Sequence, residues 1–176
     1  MRSLGQVPLV IVAMAIFSTI QLSVNASIIQ SFAVSIDSEA SINGLSIGQT
    51  MLSEIMKKEF DNATIDNRVY DRAELTPVAS FGPDSGEVIT TPDMGSFASD
   101  TTYDDIDDYN RYTRIVPDER LGDFVVVDSI RYVQEANQDL GSSSQTWYKE
   151  VIVTVSNDYL SAPVKVKSLT VYRRFF

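Results

Sequence analysis

The densest run of potential chemistry in this chain is acidic. Asp104, Asp105, Asp107 and Asp108 stand almost side by side, with Asp100 shortly before them. Carboxylates on a flexible loop are the donors a hard cation takes, and calcium collects roughly six to eight oxygens of this kind. The spacing departs from an EF-hand, which needs a glycine at its sixth and a glutamate at its twelfth position. Calcium held by Asp104, Asp105, Asp107 and Asp108 is therefore the sharper of two readings. The plainer and preferred one is a solvated acidic loop, with Tyr109 and Asn110 making turn contacts. Paired carboxylates also serve glycoside hydrolysis, but no other part of such a site is legible. There is no Cys and no His, which removes thiol nucleophiles, His-based triads, the usual zinc sites and disulfides. No Gly-rich phosphate loop or serine nucleophile elbow is present. The chain reads as a non-enzyme, with no cofactor expected beyond that calcium.

The charge balance narrows the partners. Fourteen Lys and Arg face 24 Asp and Glu, a formal net charge of -10. Nucleic acid and anionic headgroups are polyanions themselves, so this sign disfavours both. The charges are also unevenly placed: from Ser3 to Ile36 there is no Asp, Glu, Lys or Arg.

That uncharged stretch begins with an apolar run, Val7 to Val24, close to the roughly 17 to 20 residues that cross a bilayer as a helix. Three readings fit it. One is a secretory signal peptide cut after Ala26, at Val24-Asn25-Ala26. Another is a plain single-span anchor. The third is a leader cut between Gly5 and Gln6, with the apolar helix retained. The residues beyond Val24 favour the third, because they continue the helix. Apolar residues recur at Ile29, Phe32, Ile36, Ala40, Leu45, Leu52, Ile55, Met56 and Phe60, largely at helical steps. The clearest helical part is Gln49 to Phe60, with Met51, Leu52, Ile55 and Met56 facing a core and Glu54, Lys57, Lys58 and Glu59 mostly facing water. Asn43-Gly44 and Gly48 mark a weak point or break.

These residues resemble a family. Gly5 and the run containing Val12-Ala13-Met14-Ala15-Ile16-Phe17-Ser18 are similar to the N-terminal helix of type IV pilins and type II secretion pseudopilins. Ser46 to Ile55, ending in Glu59-Phe60-Asp61, resembles the end of that helix in minor pilins. Tyr103 to Asn110 is similar to a segment of the minor pilin D group of mannose-sensitive haemagglutinin pili. The resemblance implies a filament subunit, stored as a single-pass inner-membrane protein with an exported C-terminal domain. It would then assemble with homo- or hetero-oligomeric pilin partners into an extracellular or periplasmic filament. It further implies an assembly helix carrying Val10, Val12, Met14, Ile16 and Phe17, with processing and methylation at the Gly5–Gln6 junction. Two positions depart from the pattern. Gln6 stands where Phe or Met is usual, and Val10 stands where the family has a glutamate thought to pair with a neighbour's N-terminal amine. The alternative is a secreted or anchored acidic β-rich binding module.

The rest of the chain reads as an α+β domain: a long N-terminal helix, apolar then amphipathic, packed on a C-terminal antiparallel sheet of three or four strands. Residues 1–26 are the leader and apolar helix, 27–60 its amphipathic continuation, 61–122 a turn-rich connection and 123–176 the sheet. Phe124–Val133, Trp147–Ser156 and Val164–Tyr172 have the β-branched and aromatic content of strands, and short strands are read at Arg68–Tyr70 and Glu87–Thr90. Val151, Val153 and Val155 form one apolar face, whereas Lys165 and Lys167 mark a solvated one. Arg173-Arg174-Phe175-Phe176 finishes the last strand.

Overall fold

A computed structural model describes residues 6–87 and 102–172. Gly5, Asp100, the strand read at Glu87–Thr90 beyond its first residue, and Arg173-Arg174-Phe175-Phe176 lie outside them. The chain divides into two compact units between Glu39 and Ala40.

In the first unit the backbone is helical from Gln6 onward, within helix α1, Gln6–Ile55. Its large apolar side chains are exposed along the whole run from Leu9 to Val34. The helix is long and apolar enough to cross a membrane, since about 20 residues at a rise of about 1.5 Å span the roughly 30 Å hydrocarbon layer.

The second unit is built on four strands, β1 Thr113–Asp118, β2 Gly122–Tyr132, β3 Tyr148–Ser156 and β4 Val164–Val171. They pair antiparallel in chain order, a simple meander. Val126 lies opposite Val155, Ile130 opposite Val151 and Tyr132 opposite Lys149. One face of the sheet buries Phe124, Val126 and Ile130 together with Val151, Val153 and Val155. The last part of α1, from Ala40 to Ile55, covers that face and shares its core through Ala40, Met51 and Ile55. This is the expected α+β arrangement of helix on antiparallel sheet. β4 alternates half-buried Val164 and Val166 with exposed Lys165 and Lys167.

Several local expectations fail for physical reasons. Gly44 and Gly48 do not break the helix, which runs through them. Both are buried and belong to the covering stripe, at Ala40, Gly44, Gly48, Met51 and Ile55, while Leu45 and Met56 face outward. A Cβ at Gly48 would lie 2.9 Å from a Val166 methyl and 3.3 Å from a Val155 methyl. The glycines therefore set the helix down close on the sheet. The helix also stops at Ile55, short of Phe60. Glu59 leaves it to pair with the acidic segment: its N–H donates to Asp104 O at 3.1 Å, and its carbonyl accepts the Ile106 N–H at 3.0 Å.

β1 lies inside the stretch read as connecting loop, and Arg68–Tyr70 is not a strand. The Val69 N–H instead donates to Tyr172 Oη at 3.0 Å. Three short 3-10 turns, Asn62–Thr64, Arg72–Glu74 and Val78–Ser80, lead the chain past a second small core of Phe60, Val69, Leu75 and Tyr132.

Candidate functional site

Alternation along β2 and β3 puts Asp128 and Lys149 on the buried side of the sheet. Lys149 is in phase with Val151, Val153 and Val155, and Asp128 is in phase with Val126 and Ile130; both are at most 1% exposed. Burying a charge is costly unless it is paired and hydrogen-bonded. The two residues meet that demand differently.

Lys149 Nζ is fully enclosed. It donates to the Phe60 carbonyl at 2.6 Å, to Asp61 Oδ2 at 2.9 Å and to Asp107 Oδ1. The rings of Phe60, Phe81 and Tyr132 surround it, with centroids 4.6, 5.2 and 5.3 Å from the nitrogen. Cations favour aromatic faces, so the cage is apolar yet tolerant of charge. Asp61 organises the site. Its carboxylate accepts the Ala63 N–H at 3.2 Å, the Thr76 N–H at 3.1 Å, the Thr76 hydroxyl at 3.0 Å and the Tyr132 hydroxyl at 3.0 Å. It also caps the first 3-10 turn, in a reciprocal pairing with Thr64 that satisfies backbone donors a helix start leaves open.

The acidic run is not the solvated loop expected. Asp105, Asp107 and Asp108 are buried, because the Glu59 bridge draws the segment against the end of α1 and because Tyr103, Tyr109 and Tyr112 pack edge to face beside it. Its four aspartates part company. Asp107 turns to Lys149. Asp108 Oδ2 accepts the Asp104 and Asp105 N–H groups at 3.2 and 3.1 Å, and with Asp104 and Asp105 it gathers beside Asp84 and Glu87. Two triads, Asp84/Asp105/Asp108 and Glu87/Asp104/Asp108, hold carboxylate oxygens within 4.8 Å of one another. These are the residues that could offer oxygens to a hard cation, and Asp84 and Glu87 were not visible as part of such a set in the sequence.

Crowding and burial show in the proton affinities. Burial pushes the Asp105 carboxyl up to about 9, with Asp107 and Asp108 adding repulsion and Lys149 opposing. Burial likewise pushes Asp108 up to about 7, against the pull of the Asp105 N–H. Asp107 is raised by burial, and Lys149 holds it down in part.

Asp128 has no such cage. Among the described residues no hydrogen bond reaches either carboxylate oxygen. The charges that act on it are Arg114 of β1 and Glu54 of α1, which are themselves joined by a two-pronged ion pair with both N–O distances at 2.9 Å. Glu54 thus faces a partner strand and not mainly water, and Tyr109 Oη donates to it at 3.2 Å. Burial raises the Asp128 carboxyl from 3.8 to about 8, Arg114 working against the rise and Glu54 with it. The folded state therefore holds this proton more tightly than the unfolded chain. The resulting stability is full below the unfolded value and is lost as pH rises through about 8. Asp128→Asn, which cannot ionise, is expected to raise the unfolding free energy at pH 8 by about 1–3 kcal/mol, part of the gain being offset by an unsatisfied amide. The gain shrinks toward pH 4, where aspartate in the unfolded chain is protonated too. Denaturant melts of the two proteins across that range check it.

Val10, Val12, Met14, Ile16 and Phe17, which the resemblance would place on an assembly helix, are exposed on α1. Gln6 and Ala26 both lie within the helix. Comparison with protein-family models, with curated proteins and with solved structures finds no match for this chain.

Proposed function

We propose that this chain is a pilin-like structural subunit, held in a membrane by its apolar helix and assembled through that helix into a type IV pilus or secretion pseudopilus. The carrying observation is a single 50-residue helix with two kinds of surface. Its N-terminal part is uncharged and exposes large apolar side chains such as Leu9, Met14, Phe17 and Phe32. Its last part is the cover of an antiparallel sheet. A cover alone needs only the second.

The apolar part also carries small residues at every fourth position: Ala15, Thr19, Ser23, Ser27, Ser31 and Ser35. Helices in apolar surroundings associate through packing, and small side chains let their backbones approach. Three hydroxyls of this run are satisfied by the helix itself. Ser18 donates to Met14 O, Thr19 to Ile16 O and Ser31 to Ser27 O, each at 2.8 Å, so they enter lipid or a helix bundle at little cost. Val10, an apolar residue where shaft pilins carry a glutamate, suits a tip or minor position.

Mass spectrometry of the mature N-terminus tests the reading, alongside electron microscopy of sheared surface fractions. A chain beginning at Gln6 and found in filaments is the expected result. A chain beginning at Ser27 would sink it, since the apolar helix would be gone and the secreted-module alternative would stand.

A further inference from the structure

We propose that Lys149 and Asp107 join through an intramolecular isopeptide bond, formed within the folded sheet unit without any added cofactor. The parts such a reaction needs converge at one point. The amine is fully buried and lies against two carboxylates, Asp61 and Asp107. The walls of the site are Phe60, Phe81 and Tyr132, so water that would compete for the carbonyl or reverse the amide is excluded. Fixed contact of amine and carboxyl replaces a bimolecular encounter, which removes much of the entropic part of the barrier.

The two carboxylates have different roles. Both oxygens of Asp61 are engaged, Oδ1 by Ala63 and Thr76 and Oδ2 by Thr76 and Tyr132, so losing either one would break contacts to other groups. Asp61 is therefore the base that takes protons from the nitrogen. The hydrogen-bond partners of the Asp107 carboxyl among the described residues are Lys149 and Asp105, so one of its oxygens can depart without breaking a backbone contact. Asp105, hydrogen-bonded to Asp107, is placed to pass a proton to that oxygen.

The step balances without oxidant or reductant. The Lys149 ammonium gives a proton to Asp61, and the freed Nζ lone pair forms a bond to Asp107 Cγ. The C–O bond to one Asp107 oxygen then breaks. In net balance the three ammonium hydrogens become two on that oxygen, which leaves as water, and one on the amide nitrogen, with Asp61 taking protons from the nitrogen and Asp105 giving one to the oxygen. The bond would tie the acidic segment to β3 and close a loop through the core of the sheet unit. A cross-link of this kind resists unfolding by limiting the unfolded chain.

Tryptic mapping of the purified, denatured full-length chain tests this directly. The expected result is the loss of cleavage after Lys149 and the appearance of a branched peptide joining the Asp107 and Lys149 segments, lighter than its two arms together by one water. Asp107→Ala should restore the linear peptides. Linear peptides in the unaltered protein, with Lys149 free to react with an amine label after denaturation, would overturn the proposal. A branch carried at Asp61, or one that persists in Asp107→Ala, would overturn it equally.

Discussion

In the sheet unit before any Lys149–Asp107 cross-link has formed, replacing Lys149 with methionine is expected to cost about 3–5 kcal/mol, the range for removing one partner of a buried ion pair. Methionine fits the same unbranched volume, so the loss is not a packing defect. It comes from Asp61 and Asp107, which would remain in an aromatic cage with their shared cation gone. Asp107 has few other donors and would have to take up a proton. Asp61 would keep its contacts to Thr76 and Tyr132. The result should therefore depend on pH. The deficit is largest at neutral and alkaline pH and narrows in acid, where the Asp107 carboxyl, raised by burial, is protonated. Chemical denaturation of both proteins at pH 5 and pH 8 reads the difference. An equal deficit at both values would mean that the charge of the lysine is not what stabilises the unit.

The second large effect is expected at Gly48. Leucine there should destabilise by about 3 kcal/mol, at the upper end of overpacking costs, and should loosen the end of α1 from the sheet. A single added carbon already meets a Val166 methyl at 2.9 Å. That valine is held in β4 between its pairing with Val153 and the helix, so it has little room to move. Gly44 provides the contrast. A Cβ there meets Val164 at 3.4 Å, an ordinary contact, and alanine removes the backbone-entropy cost of a mid-helix glycine, up to about 1 kcal/mol. Gly44→Ala should thus be neutral or stabilising, and Gly48→Leu severe. Thermal melts, with hydrogen exchange along Gln49–Ile55, distinguish local detachment from global loss.

How far the chain could be read without its structure differs from element to element. The helix, the strands β2 to β4 and the uncharged N-terminal run were legible because each is a local pattern: period, length and absence of charge. β1 was not. Thr113–Asp118 contains Arg114, Pro117 and Asp118, weak strand formers individually, and it is a strand because β2 offers it a ladder and Glu54 takes its arginine. Gly44 and Gly48 misled for a related reason. Glycine weakens an isolated helix, yet here the sheet rewards the closeness it permits.

The acidic run shows the divide most clearly. From composition alone, four neighbouring aspartates belong in water or on a cation. Only the tertiary structure could part Asp107 from the others and set it against Lys149, and bring Asp84 and Glu87 to the remainder. A signal was available: Lys149 and Asp128 sit in phase with buried valines, a position where an ionisable residue demands a partner. The sequence could state that demand, since alternation along a strand is local. It could not show that among the described residues no hydrogen bond reaches Asp128, or name Asp61 and Asp107 as what answers Lys149. Those partners come from other elements, and only the packing of helix, loop and sheet brings them into reach.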